Sequence, residues 1–205
     1  IGCYSFYPGK NLGAFGDAGG ITTNDPVLAD RLLLLRNYGQ KIKNRHDLLG
    51  YNCRLDTLQA CVLLTKMKYI EMWTEQRRQV AAWYREELAD CDLTLPLERE
   101  DVRHVYHLFV IRHPQRDLLM RHLATLNISC GVHYPNPLFR AQPFENSQTI
   151  PVNLPVCSQY ANEILSLPMY PEMTREHVRR IGDGIRQFAL AEAATPQDAG
   201  HVGSG

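Results

Sequence analysis

Neither sign of charge is in excess, since 22 Lys and Arg residues are matched by 22 Asp and Glu. That balance offers no basic face to nucleic acid or to an anionic membrane surface, and neither partner is expected. Long apolar runs are scarce: none approaches the roughly 20 residues that cross a bilayer, and no basic-then-apolar stretch reads as a leader. The six cysteines (Cys3, Cys53, Cys61, Cys91, Cys130 and Cys157) form no C-x-x-C pair and no zinc-type spacing with histidine. They are expected to be reduced thiols in a cytoplasmic protein, several of them simply core residues, with no metal site. Internal repeats are absent too.

What remains is enough to fold. At 205 residues and 44% hydrophobic, the chain can bury a core in one or two domains. Its most informative stretch is Ser5-Phe6-Tyr7-Pro8-Gly9-Lys10-Asn11-Leu12-Gly13, followed by Gly16, Gly19 and Gly20. Glycines at this density let a backbone turn tightly and approach a ligand. A lysine in such a loop reads in two ways. It can be a solvated turn residue, as most lysines are. Held away from bulk water, it can instead serve as an amine nucleophile that condenses with a carbonyl.

Further along, Gly20-Ile21-Thr22-Thr23 is β-prone, and Asn24-Asp25-Pro26 has the form of a capped helix start. Leu28, Leu32 and Leu35 make one apolar stripe, with Gly39 expected to end that helix. Residues 40–50 read as a charged connector. In Gly50-Tyr51-Asn52-Cys53-Arg54-Leu55-Asp56, Asp56 is placed to cap the next helix. Asn52 and Arg54 ahead of it suit an anion, or only shape a turn. A long helical region is expected to about Asp90, its tryptophans packing in a core or a dimer contact. Leu95-Pro96 marks entry into a second domain.

Alternation from Val105 to Ile111 predicts a buried strand, with His107 a satisfied core histidine. A helix through Leu119, Leu123 and Leu126 and a strand over Ile128–Tyr134 complete a β-α-β run. His133 and Tyr134 open a proline-rich loop of the kind that often meets ligands. Residues 140–157 read as a mobile loop, followed by a helix over Tyr160–Leu165 and a strand over Leu165–Pro168. A final amphipathic helix carries Val178, Ile181, Ile185 and Phe188 on one face. Residues 194–205 are expected to be a disordered tail.

The lysine segment S-F-Y-P-G-K-N-L-G-A-F-G-D-A-G-G resembles that of the DegT/StrS-type nucleotide-sugar aminotransferases, within the fold type I aspartate aminotransferase superfamily. The resemblance continues in order through G-Y-N-C-R-L-D-T-L-Q-A, H-V-Y-H-L-F-V-I-R, H-Y-P-N-P-L and L-S-L-P-M-Y-P, across about residues 1–190. It implies an α/β fold: residues 1–92 as the remainder of a large domain that binds pyridoxal 5'-phosphate, and 93–193 as a smaller α/β domain. It also implies a Schiff-base lysine at Lys10, phosphate contacts from Ser5 and Asn52, and substrate contacts from Arg54, His133 and Tyr134. Asn52 would serve a neighbouring subunit's site, which makes the enzyme a homodimer with shared active sites. The reaction implied moves an amino group from an amino acid, glutamate foremost, to a keto-sugar on a nucleotide. The H-Y-P-x-P-L form is closer to relatives acting on 3-keto-sugars, although many relatives have histidine where Phe139 stands. Relatives that dehydrate sugars lack the lysine, so Lys10 argues against that branch. The family's aspartate for the pyridine nitrogen and its ring-stacking aromatic lie in a region not among these residues. The chain therefore reads as a C-terminal half, with a non-catalytic dimerisation or binding module as the alternative.

Overall fold

The computed structural model describes residues 1–144 and 154–194. It is a mixed helix-and-strand chain of the α/β class, and its described residues fall into two compact units that divide between Thr74 and Glu75. The division falls inside a helix rather than at the expected 92–93. The physical reason is that the helix's own later residues, from Val80 on, already belong to the second unit's core.

The first unit opens with β1 (Gly2–Ser5) and β2 (Gly19–Thr22), antiparallel, with Ser5 opposite Gly19. Residues 6–18 are the loop between them. α1 (Pro26–Leu35) starts as its sequence dictates: Asp25 Oδ1 accepts from the Val27 and Leu28 amides at 2.8 and 3.2 Å. Its leucine stripe, however, buries none of its residues. The helix stops at Leu35, and Gly39 falls in the exit turn that follows, where Tyr38 and Gly39 take left-handed φ of 57° and 69°.

The expected connector at 40–50 contains a hairpin, β3 (Gln40–Ile42) with β4 (Arg45–His46), turning at Asn44 with φ of 68°. Its charges reported exposure, not irregularity; asparagine tolerates the left-handed turn, and Gln40 Oε1 accepts the Asn44 amide at 3.0 Å. The single long helical region is two helices, α2 (Thr57–Met67) and α3 (Ile70–Glu87). Asp56 precedes α2 but its side chain accepts no capping bond. Leu63 is the only buried residue of α2, while Leu58 and Leu64 are exposed.

The second unit holds the hydrophobic core. From α3 it takes Val80, Ala81 and Tyr84, and from the turn just after it Leu88, with Trp83 packed partly buried against them. After α3 come β5 (Phe109–Arg112), α4 (Arg116–Thr125), two 3-10 turns at Leu138–Arg140 and Gln142–Phe144, α5 (Pro155–Glu163), β6 (Ile164–Leu167) and α6 (Arg175–Ala194). β5 and β6 are antiparallel, Phe109 facing Leu167 and Ile111 facing Leu165. Thr94 bridges Arg112 on one side and Gly131 bridges Ser166 on the other. Apolar faces of α4 and α6 close the core, with Val178, Ile181, Ile185 and Phe188 buried as the spacing of α6 requires.

Three expectations change here. The strand begins at Phe109, not Val105, because Tyr106 takes a φ of 43° and its carbonyl, with those of His107 and Met169, is drawn onto the buried Arg77 guanidinium. Burial with no carboxylate hydrogen-bonded to it pulls the Arg77 pKa down. Ile128–Tyr134 makes one bridge rather than a strand, so the β-α-β run is a β5-α4 pair whose sheet partner is β6. Pro155–Glu163 is helical, so part of the expected mobile loop is α5; residues 145–153 lie outside the described ones, as does the tail from 195. The cysteines divide likewise. Cys91 and Cys130 pack against the core, and burial pushes the Cys130 thiol up to about 11, whereas Cys3, Cys53, Cys61 and Cys157 are exposed. Among the described residues no helix is long and apolar enough to cross a membrane.

One polar knot pins the segment that leads into β5. Glu98 accepts from Arg78, from the Tyr106 hydroxyl at 2.7 Å and from the His104 amide at 3.0 Å. These donors, Arg78 first, hold its carboxyl well down, from 4.5 to about 2. A folded pKa below the unfolded one means stabilisation that is complete above pH 4.5 and disappears as pH falls through about 2. Glu98→Gln is expected to cost about 1–3 kcal/mol at neutral pH and to flatten the stability profile between those two pH values. Chemical denaturation across that range checks both parts.

Candidate active site

Lys10 is half-buried near the start of the 6–18 loop, and the loop closes by crossing itself. Phe6 donates to Ala18 O at 2.9 Å, Ala14 to Phe6 O at 2.8 Å and Lys10 to Tyr7 O at 2.8 Å. At the crossing, a Cβ on Gly13 would lie 2.2 Å from Pro8 O and 2.8 Å from Pro8 C, so only glycine lets the two backbones pass. Among the described residues the Lys10 ammonium makes no hydrogen bond or ion pair. Ser5, at the end of β1, is exposed, and its Oγ accepts only a long 3.4 Å bond from the Tyr7 amide. The hydroxyl proton is therefore available to a phosphate.

Asn52 and Arg54 are brought together in the same unit. Asn52 bridges Asn37, and the Tyr51 and Cys53 amides donate to Leu35 O and Arg36 O at 2.7 and 2.9 Å, so the exit of α1 fixes this segment. Arg54 Nε donates to Asn52 Oδ1 at 3.2 Å, and the guanidinium lies 5.6 Å from the Tyr38 ring centroid. With its oxygen turned to Arg54, Asn52 presents its NH2, and both exposed side chains offer donors. Such donors suit an anion, and the bond between the two side chains also shapes the turn ahead of α2.

In the second unit His133 and Tyr134 are exposed and joined by a cis peptide bond. His133 Nδ1 lies 2.9 Å from Ser166 Oγ, and the His133 and Tyr134 rings meet edge-on with centroids 5.6 Å apart. Ser166 is buried in β6 and bonds Gly131 through both backbone groups, at 3.0 and 2.8 Å. Sequence reasoning missed Ser166; the signal was a lone hydroxyl inside the apolar Leu165-Ser166-Leu167. It missed Gln59 and Lys66 too, both of which reach the lysine loop from α2.

The residues present suit pyridoxal phosphate: an unpaired amine on a tight loop, a serine hydroxyl with its proton unengaged at the end of the strand that leads into that loop, and amide and guanidinium donors.

Comparison with known proteins agrees. The DegT/DnrJ/EryC1/StrS aminotransferase family matches residues 1–186. The chain is 44% identical to the erythromycin biosynthesis sensory transduction protein EryC1 of Saccharopolyspora erythraea, over 84% of this chain and 48% of that protein. It is 39% identical to the dTDP-3-amino-3,4,6-trideoxy-alpha-D-glucose transaminase of Streptomyces venezuelae, over 92% of this chain and 50% of that one. A crystal structure of S. venezuelae DesV in complex with a ketimine intermediate superposes with a TM-score of 0.86 at 39% identity, over 91% of this chain and 51% of that one. The chain thus spans about half the length of the relatives it matches. Motif order, fold and these likenesses agree, and the chain belongs to the DegT/DnrJ/EryC1/StrS aminotransferase family.

Proposed function

We propose that this chain is the lysine-bearing part of a pyridoxal-phosphate-dependent aminotransferase that moves an amino group from glutamate to a 3-keto-sugar on a nucleotide. The carrying observation is the half-buried, unpaired Lys10 on its self-crossing loop, with the Ser5 hydroxyl proton unengaged at the end of the strand that leads into that loop. Support for the substrate class comes from the Streptomyces venezuelae relative, whose name places an amino group at carbon 3 of a dTDP-linked sugar. Aminotransferases of this family work with pyridoxal phosphate. The enzyme acts as a cytoplasmic homodimer, with Asn52 serving the neighbouring subunit's site.

When bound, the cofactor supplies an aldehyde for a lysine amine and a ring that stabilises negative charge on the carbon losing its proton. The chain's own groups do the rest. Ser5 Oγ–H donates to the phosphate. Asn52 NH2 and the Arg54 guanidinium supply donors to anionic groups, the phosphate for Asn52 and the substrate for Arg54. Lys10 Nζ would anchor the cofactor and, once freed, act as the base that takes the proton from the donor's α-carbon and delivers it to the carbon that had carried the aldehyde, not back to the α-carbon. His133 and Tyr134 are assigned to the sugar nucleotide, with Ser166 fixing the His133 ring through Nδ1.

Adding pyridoxal phosphate, reducing with borohydride and mapping the adduct is expected to place the label on Lys10. A colourless protein without label at Lys10 overturns the reading and leaves a binding or dimerisation module. For the holoenzyme, glutamate with a dTDP-3-keto-sugar should be consumed faster than with the 4-keto isomer, and the reverse order removes the 3-keto assignment.

A further inference from the structure

The lysine loop is also held from outside, by one face of one helix. Gln59 and Lys66 stand two turns apart on α2, so their side chains project in the same direction. Gln59 Oε1 accepts the Phe15 amide at 2.8 Å, and Lys66 Nζ donates to the Gly13 carbonyl at 2.7 Å. The same ammonium lies 5.2 Å from the centroid of the Phe15 ring. A Cβ on Gly16 would come 3.2 Å from Gln59 Nε2, so the loop rests directly on this side chain. Neither residue has a part in the chemistry above.

We propose that Gln59 and Lys66 are positioning residues for Lys10, clamping residues 13–15 so that the lysine meets its cofactor in a fixed geometry; this rests on reading Lys10 as the cofactor lysine. One side chain accepts and the other donates, so together they fix both the place and the tilt of the peptide planes just past the Gly13 crossing. The backbone bonds of the loop close its neck at Phe6–Ala18 and its turn at Tyr7–Lys10, and the α2 contacts tie the far side to a rigid element. A loop shift of about 1 Å can cost on the order of a hundredfold in a reaction that depends on alignment. α2 also begins directly after the Asn52 and Arg54 segment, so one helix sets the amine loop and follows the anion donors.

The test uses the full chain and four variants. Gln59→Leu removes the acceptor and Gln59→Glu keeps one. Lys66→Met keeps the apolar stem without the donor, and Lys66→Arg restores a donor able to stack on Phe15. Hydrogen exchange of the Phe15 amide and of loop peptides reads the clamp with no cofactor present. Borohydride-trapped labelling by pyridoxal phosphate, mapped to Lys10, reads its consequence. Gln59→Leu and Lys66→Met are expected to raise loop exchange about tenfold and to slow Lys10 labelling about tenfold, with the melting temperature held within about 3 °C. Gln59→Glu and Lys66→Arg should recover both. Exchange and labelling unchanged in Gln59→Leu and Lys66→Met overturn the positioning role alone. A wild-type chain that takes no label at Lys10 overturns the reading of the lysine, and the positioning role with it, even if exchange rises as expected.

Discussion

Lys10→Ala is expected to abolish trapping of pyridoxal phosphate by borohydride and to lower transamination by the holoenzyme at least about a thousandfold, with the melting temperature unchanged within about 2 °C. The two halves of this expectation have separate causes. The stability half follows from the packing: the ammonium has no partner among the described residues, and the backbone bonds that close the loop do not involve the side chain. Such a substitution falls within about 0.5 kcal/mol of neutral. The activity half follows from one amine doing two tasks, anchoring the cofactor and moving the α-proton, so both half-reactions fail together. Lys10→Arg separates shape from chemistry. It keeps the charge and the reach but stays protonated, and it should be as inactive as alanine. Absorbance after cofactor addition, peptide mapping and turnover measure these outcomes. Residual activity within tenfold of wild type would move the catalytic amine elsewhere.

What the sequence made legible was local. Asp25-Pro26 announced a capped helix and obtained it, because the capping bonds run between residues two and three apart. The α6 stripe was readable for the same reason, since the 3.6-residue repeat puts Val178, Ile181, Ile185 and Phe188 on one face. The self-crossing of the lysine loop was signalled by its glycines. Features set by distant partners were not readable. Residues 105–111 alternate like a strand, yet Arg77 gathers the carbonyls of Tyr106, His107 and Met169, and the strand starts later. The 128–134 stretch is apolar enough for a strand, but its pairing stops at the single Gly131–Ser166 bridge. Gln59, Lys66 and Ser166 act on residues far along the chain; nothing near Gln59 or Lys66 marks them, and the lone hydroxyl of Ser166 among leucines does not say which residue it meets. The α1 leucines show the converse: a periodic stripe predicts a helix without saying what, if anything, in the same chain covers it.

Phe109→Ala should have the largest effect on folding, about 3–5 kcal/mol. Phe109 is fully buried at the start of β5, stacked on Tyr84 with centroids 4.7 Å apart and facing Leu167 across the β5–β6 pair. Removing the ring takes away apolar contact on every side. The neighbours cannot collapse inward, because Tyr84 is tied through its hydroxyl to Pro168 O at 2.7 Å, and Arg77 holds the backbone at 106 and 107. For a chain of this size the loss corresponds to a melting temperature lower by roughly 10 °C. Phe109→Leu, which retains most of the volume, should lose less than half as much. The loss also reaches His133 through the backbone of β6: Leu167 faces Phe109, and the preceding Ser166, on the opposite face of the strand, meets His133 Nδ1 through its hydroxyl. Below the transition, Phe109→Ala is therefore expected to shift and broaden the His133 ring resonances, while Phe109→Leu leaves them near their wild-type positions. Calorimetry and histidine NMR on the same samples decide the matter: a small loss of stability or unmoved His133 signals would show that the core does not hold this histidine in place.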